Sequence, residues 1–416
     1  MNGINVLGYI DGEFGLGEAV RRNLKALKTS IIPINEIDFN QVRSNENYNY
    51  TFDYSINLVQ ISLNDIDVFF STINPAFFND KYSILFLVWE SEYVPEKLKK
   101  AINLFNEVWT PSTYCKYIFR KIYEGPIITV PHPVEVKLKP IQNHNSLIFF
   151  EEDKFSFLFI FNYHSSIERK NPFHLIEAFI GAFENDSNVE LVIKTSGSRD
   201  YKSLEKRLHN SIRGNRNIKI IDIDLDRNSV DHLINNCDCY LSLHHSEGFG
   251  LTLAEAMYLG KPTLASNYSG NTEFMNQNNS YLVDCNIGEI ENPDANFSSE
   301  TIWGHPILED TIEKLKLVYK NEELRKEKAI LGEKEIKMRL SYKAVGTIMS
   351  NRLKHLYINF DELTVNNNHD AYLLNQLQIA NTEVTHLQRE IRRMKKNVII
   401  KFVLFFKNGF RKLRKK

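Results

Sequence analysis

The strongest constraint on the fold is an alternation that occurs twice. Short apolar, β-branched runs at Ile4–Ile10, Ser55–Ser62, Val68–Thr72, Ile84–Trp89, Glu107–Thr110 and Ile127–Val130 are separated by helical patterns. A second series follows at Phe155–Phe161, Val189–Lys194, Ile218–Ile223, Cys239–Leu243, Pro262–Ala265 and Ser280–Val283. Runs of this kind with helices between them predict strands of parallel sheets. After the first run, Val20, Leu24 and Leu27 fall at i, i+4 and i+7, one face of a helix. From Pro131 to Asp153 the chain turns polar and irregular (PHPVEVKLKPIQNHNS), which predicts an interdomain linker. At 416 residues the chain exceeds the roughly 250–300 that one core organises. The expected fold class is therefore α/β, two Rossmann-like doubly wound domains facing a cleft. The first covers 1–138, with a return helix at about 341–362, and the second covers 139–340.

Beyond Asn366 the pattern changes. Leu373, Leu377, Ala380, Val384, Leu387, Ile391, Met394 and Val398 repeat at alternating spacings of 4 and 3, which predicts a coiled-coil seam of about three heptads and self-association as a homo-oligomer, the segment 363–416 comprising this coil and a basic tail. It runs into NVIIKFVLFFKNGFRKLRKK. Ile391 to Lys416 holds eleven Lys or Arg and no Asp or Glu; since the whole chain carries −1, the rest carries about −12. Such a basic amphipathic tail suits an anionic membrane surface. The main body lacks a basic footprint, so nucleic acid is not expected as a partner. No run approaches the ~20 apolar residues of a membrane span, and MNGINVLGYIDGEFG lacks the basic region and apolar core of a signal peptide. The expected location is cytoplasmic, with the tail at the inner face of the cell membrane. Cys115, Cys237, Cys239 and Cys285 show no paired metal spacing, and NNCDCYLSL reads as a core strand with reduced thiols.

The stretch HHSEGFGLTLAEAMYLGKP follows a predicted strand and precedes a helix beginning near Thr252, with Leu253, Met257 and Leu259 on its apolar face. In a doubly wound domain such a crossover lies at the ligand-binding edge. Gly248 and Gly250 allow close backbone approach, and free N–H groups at the helix start suit a phosphate. Glu247 lies in the turn and Glu255 just inside the helix, where both can face one bound molecule from different heights. A helix end that favours acidic residues would explain Glu255 alone equally well. In FNYHSSIERKNPFHLIEAF, Arg169 and Lys170 occupy the loop after the first strand of the second domain. In DGEFGLGE, glycines 12, 15 and 17 depart from the G-x-G-x-x-G spacing, and no acidic residue clearly ends a strand about twenty positions on.

Taken in order, these motifs resemble retaining family-4 glycosyltransferases. SEGFGLTLAEAMYLGKP is similar to their E-x7-E region, and GEFGLGEAVRRNLKAL, VWTPSTY, VPHPV, RKNPFHLIEAF, LVIKTSG, ASNYSGNTEF and IWGHP extend the likeness across about residues 4–355. The resemblance implies the B-type arrangement of two Rossmann-like domains and a nucleotide diphosphate sugar as donor. It implies that Glu247 contacts the donor sugar hydroxyls and Glu255 the ribose, with the amides of Phe249, Gly250, Leu251 and Thr252 holding sugar and diphosphate. It places Gly15 and Gly17 beside the donor phosphates and Lys170 on the diphosphate, whose developing charge needs cations. Relatives carry an Arg about six residues before this Lys, where the present chain has His164. The second cation is thus Arg169, a protonated His164, or neither. In the first domain, FLVWESEYVP offers Glu90 as an acceptor-orienting base, Glu92 for acceptor hydroxyls, and Trp89 as a stacking platform or a core residue.

The function expected is transfer of a hexose, with retention, to a glycan or lipid-linked acceptor, with no obligatory metal and no cofactor beyond the donor. Abundant Asn, Ile, Lys and Phe associate the chain with AT-rich bacterial genomes and cell-surface polysaccharide synthesis. A non-catalytic sugar-nucleotide-binding scaffold and a B-type nucleotide-sugar epimerase are the alternatives.

Overall fold

The computed structural model describes residues 3–12, 15–45, 47–74, 77–140, 149–184, 186–290 and 297–363, and beyond these only positions 384, 387, 389–391 and 393. Apart from those positions, the coiled-coil seam and the basic tail lie outside the described residues. Two six-stranded parallel sheets carry the architecture. The first contains β1 (Ile4–Gly8), β2 (Ile34–Asp38), β3 (Ile56–Gln60), β4 (Tyr82–Phe86), β5 (Glu107–Thr110) and β6 (Ile127–Thr129), in the order β2-β1-β3-β4-β5-β6. The second contains β7 (Phe155–Ile160), β8 (Val189–Thr195), β9 (Ile218–Asp222), β10 (Cys239–Ser242), β11 (Thr263–Ser266) and β12 (Tyr281–Val283), in the order β12-β11-β10-β7-β8-β9. An antiparallel hairpin, β13 (Cys285–Glu289) with β14 (Ile302–Pro306), follows.

The central strands are mainly apolar because helices cover both faces of each sheet. In β1, Ile4 and Val6 join one core and Leu7 the core on the opposite face. In the second sheet, Phe157 and Leu158 divide in the same way. The order of each sheet reverses at one point, between β1 and β3 and between β7 and β10. The crevice at such a point, beyond the carboxyl ends of the strands, is where doubly wound domains bind ligands.

The structure corrects the sequence reading in three places. Val68–Thr72 is not a strand but part of the helix Ile66–Thr72, in which Ile66, Phe69 and Phe70 are buried. A contiguous apolar run cannot by itself distinguish strand from buried helix, and the i, i+3, i+4 spacing of those residues settles it. Ile34–Asp38, not expected as a strand, is the edge strand β2, whose half-exposed INEI segment carries little apolar signal. The run that begins at Ile84 also leaves the sheet at Phe86, so Val88, Trp89 and Glu90 form a loop facing the second domain.

Helix Tyr342–Ile358 returns to the first domain. Val345, Met349, Leu353 and Leu356 enter the core containing Ile4 and Val20. A Cβ on Gly346 would lie 2.2 Å from the Ala26 carbonyl oxygen, so glycine permits the close approach to helix Gly15–Leu27. Arg352 then reaches the fully buried Glu107 on β5 through Nε at 3.0 and 3.1 Å, and that carboxylate also accepts from Trp109 Nε1 at 2.6 Å and Tyr82 Oη at 3.0 Å. Cys115, Cys237 and Cys239 are buried free thiols, and burial pushes Cys115 up to about 11 and Cys237 to about 12. Among the described residues no helix is long and apolar enough to cross a membrane. Arg352→Met leaves Glu107 buried without its cation and is expected to cost about 2–4 kcal/mol. Urea denaturation followed by intrinsic fluorescence measures this, and an unchanged midpoint would contradict the role given to the pair.

Candidate functional site

The carboxyl ends of β7 and β10, at the reversal point of the second sheet, supply two short segments. The chain leaves β7 through a turn at Tyr163–Ser165 into a helical turn Ile167–Lys170, and leaves β10 through His244–Gly250 into helix Leu251–Tyr258. Gly250 takes φ +89, a left-handed conformation suited to glycine. Helix Leu251–Tyr258 therefore starts abruptly, with Leu251 and Thr252 in its first turn. Three of the five non-glycine residues with positive φ among the described residues, Ser166, Asn171 and Ser269, belong to the loops here. Strain of this kind persists where the surroundings enforce it and clusters at functional sites.

Glu247 is the centre. Its side chain is 11% exposed, pairs with Lys170 Nζ, and lies 3.1 Å from Arg169 Nη1. Arg169 also donates to the Ser246 carbonyl at 2.9 Å and lies 4.0 Å from Glu90 Oε1 of the first domain. Burial alone would raise the Glu247 pKa; the Lys170 and Arg169 cations outweigh it and hold the carboxyl well below its ordinary range. Burial lowers the pKa of Lys170, while Glu247 opposes the shift. Backbone bonds lock the turn: Glu247 N donates to Ser269 Oγ at 2.8 Å and Gly270 N to the Glu247 carbonyl at 2.8 Å. Buried His244 bridges Ser242 Oγ and Asn271 Oδ1, at 3.0 and 3.1 Å, and ties this turn to the 269–271 loop.

Glu255 occupies a second cluster and is only 1% exposed. Arg22 Nη2 of the first domain donates to its Oε1 at 2.7 Å, and Arg227 Nη2 lies 2.7 Å from its Oε2. Arg22 is itself oriented by Glu18 at 2.8 Å. His132 packs beside this cluster, stacked on Phe86 and edge-on to Phe249, and burial followed by the Arg22 charge pushes it down to about 3. Sequence reasoning missed Arg22, Arg227 and His132. Arg22 sits within GEFGLGEAVRRNLKAL, but its partner is 233 positions away and no local pattern points to it.

The other residues singled out from the sequence fall as follows. Gly15 opens helix Gly15–Leu27, and a Cβ there would meet nothing within 4 Å; a Cβ on Gly17 would lie 2.2 Å from the Gly12 carbonyl. A Cβ on Gly248 would collide with Val88 at 2.3 Å, so the turn is pressed against the first domain. Phe249 is buried between His132 and Phe274. His164 is 55% exposed and makes its polar contacts with Asp200 and Tyr201, whereas Arg169 faces Glu247. Trp89 packs partly buried on the first core, its Nε1 donating to the Tyr93 carbonyl. Glu92 accepts from Lys121 at 2.7 Å and from Tyr268 at 3.2 Å.

The domains meet across this region. Ser112 Oγ, capping helix Thr113–Arg120, donates to the Gly248 carbonyl at 2.7 Å. Thr113 N donates to Glu273 at 2.7 Å, and Ser246 Oγ donates to Tyr114 Oη at 3.1 Å. Two carboxylates held by four cations at one sheet edge, under a glycine turn, combine acceptors for hydroxyl groups with positive charge able to offset an anion.

Residues 147–292 match the family described as "Glycosyl transferases group 1". No curated protein matches the chain by sequence. Among solved structures, Anabaena Alr3699/HepE in complex with UDP and glucose is similar at TM-score 0.62 and 13% identity, over 86% of this chain and 100% of that one. The sucrose-phosphate synthase from Thermosynechococcus elongatus aligns at TM-score 0.61 and 12% identity, covering 86% of this chain and 99% of its own. The pneumococcal O-GlcNAc transferase GtfA in complex with UDP and GlcNAc aligns at TM-score 0.51 and 14% identity, covering 73% and 57%. The chain has the GT-B fold, two Rossmann-like domains facing each other.

Because the folded Glu247 pKa lies below the ordinary 4.5, the carboxylate contributes stability that is fully present above that pH and is lost as pH falls below it. Glu247→Gln is expected to flatten the dependence of Tm on pH below about 4.5. Thermal melts across pH 3–6 test this, and parallel wild-type and mutant curves would contradict the assigned pairing.

Proposed function

We propose that the chain is a retaining glycosyltransferase that moves a hexose from a nucleotide diphosphate sugar to a carbohydrate or lipid-linked acceptor. The carrying observation is Glu247, buried between Lys170 and Arg169 at the reversal point of the second sheet, with Arg169 itself 4.0 Å from Glu90 of the first domain. The similar structures with bound UDP and sugar support a nucleotide sugar as donor.

In this reading the diphosphate lies against Lys170, Arg169 and the amides of Gly250, Leu251 and Thr252, where cations and a positive helix end offset its charge. Gly15 and Gly17 line the opposite wall. Glu247 accepts hydroxyl hydrogen bonds from the donor sugar, and Glu255 accepts from the ribose. The bond between the anomeric carbon and the β-phosphate oxygen breaks, and the acceptor oxygen attacks from the same face. The acceptor proton passes to the departing phosphate oxygen, with Glu90 orienting the hydroxyl. Lys170 stabilises charge most strongly on the leaving oxygen, so its effect belongs to the transition state. The interdomain contacts exclude water and disfavour hydrolysis. No metal is required, since the cations offset the diphosphate charge. His164, turned toward Asp200, is given no part in holding the diphosphate. The coiled coil and basic tail would assemble the enzyme and hold it at the inner face of a bacterial membrane during cell-surface polysaccharide synthesis.

Glu247→Ala and Lys170→Ala are expected to lower kcat by about 10²–10³-fold, the cost of removing one preorganised group. Glu255→Gln is expected to raise the nucleotide Kd about tenfold, equivalent to 1.4 kcal/mol, with a smaller effect on kcat. Radiolabelled UDP-, GDP- and ADP-sugars, offered with glycan acceptors, supply the assay. Wild-type turnover in all three variants would refute the site assignment, and an epimerised donor appearing without acceptor would favour the epimerase reading. Loss of residues 396–416 is expected to abolish sedimentation with anionic liposomes, and unchanged sedimentation would remove the membrane role.

A further inference from the structure

A second concavity, about 300 Å³, opens in the second domain beside the Glu247 cluster. Its walls come from hairpin β13–β14, the start of helix Pro172–Phe183 and Arg207 from helix Lys202–Ser211, with Glu168 and His245 on the side shared with the two turns of the Glu247 cluster. Strand alternation places Trp303 and His305, two positions apart on β14, on one face of the hairpin. The IWGHP motif thus becomes one wall of the cavity.

The chemistry of that wall is specific. Trp303 is 1% exposed, yet its indole Nε1 has no hydrogen-bond partner among the described residues. His245 stacks on Trp303 with ring centroids 5.2 Å apart, and its Nδ1 lies 2.9 Å from the Gly304 carbonyl. A carbonyl can only accept, so Nδ1 carries the proton, and Nε2 of the neutral ring is an acceptor. Burial holds His245 at about 4, which keeps the ring neutral near pH 7. His305 Nε2 likewise bonds the Glu289 carbonyl at 3.1 Å, leaving Nδ1. The site therefore offers imidazole acceptors side by side, above the buried ring of Trp303. Phe173 and Ile290 supply apolar surface, and Arg207 stacks on Phe173 at 4.0 Å.

An anion does not match this set. It has no proton to give the imidazole nitrogens, and Glu168, lining the same cavity, already pairs with Arg207. A bound metal does not match either, since among the described residues no three His, Cys, Asp or Glu side chains are grouped to hold one. A sugar ring does: each hydroxyl both donates and accepts, and its C–H face suits the apolar wall. We infer that the cavity formed by Trp303, His245, His305 and Phe173 is a saccharide-binding subsite one sugar ring deep, separate from the donor site. In the transfer reaction it holds a sugar unit of the glycan acceptor or product. His245 N donates to the Arg169 carbonyl at 2.8 Å, so an occupied cavity also braces the turn carrying Arg169 and Lys170.

Saturation-transfer NMR on the full chain tests this with methyl α-glucoside and N-acetylglucosamine, each measured alone and with saturating UDP. The expected result is sugar signal that survives UDP and falls at least about fivefold in His305→Ala and in Arg207→Ala, with melting temperatures unchanged. Absence of signal from both sugars, signal abolished by UDP, signal indifferent to both variants, or inorganic phosphate competing for the site would each overturn it. A parallel UDP titration reports on the donor site alone, so failure of the transferase reading and failure of the subsite are distinguishable.

Discussion

Charge burial governs how this molecule is put together. Glu247 and Glu255 are both buried, and a charge so placed needs cations to offset its lost hydration. For Glu247 the cations come from the same domain, on the turn that leaves the neighbouring strand β7. For Glu255 one arginine, Arg22, comes from the other domain. The relative placement of the domains therefore cannot be separated from the electrostatics of the site. Helix Gly15–Leu27 must present Arg22 to the second sheet edge, and the glycine turn must lie close enough for Ser112 to reach the Gly248 carbonyl.

The same constraint explains the small residues nearby. Gly248 admits Val88, and Gly346 lets the return helix press against Gly15–Leu27, the helix that carries Arg22. Glu107 anchors the return helix through Arg352. Packing far from the cleft thus sets the position of a charge within it. On the proposed reading, a nucleotide engaging Glu255 would meet cations already in place, which lowers the reorganisation required on binding.

Much of the second domain was legible in the sequence, since its strands read as mainly apolar, β-branched runs and its reversal point carried the glycine turn. The first domain was less so. Val68, Phe69 and Phe70 form a run that fits strand or helix, and the choice depended on Ile66 and Phe69 meeting the same core. Edge strand β2 carries half-exposed Asn35 and exposed Glu36 and so lacks the signal of a central strand. Arg169 and His164 were equivalent candidates in sequence because both lie on one loop. The fold separates them, turning Arg169 inward and His164 toward Asp200.

By itself the sequence determined the α/β class, two successive doubly wound units, and the adjacency of Glu247 to a glycine turn and of Lys170 to a strand end. These follow from local periodicity and turn chemistry, which neighbouring residues encode. Tertiary structure alone decided that Arg22 and Arg227 hold Glu255, that His132 lies beside them, and that IWGHP lines a cavity rather than only closing a domain. Those facts join residues tens to hundreds of positions apart. Two packed sheets bring them together, and no short-range pattern specifies that distance.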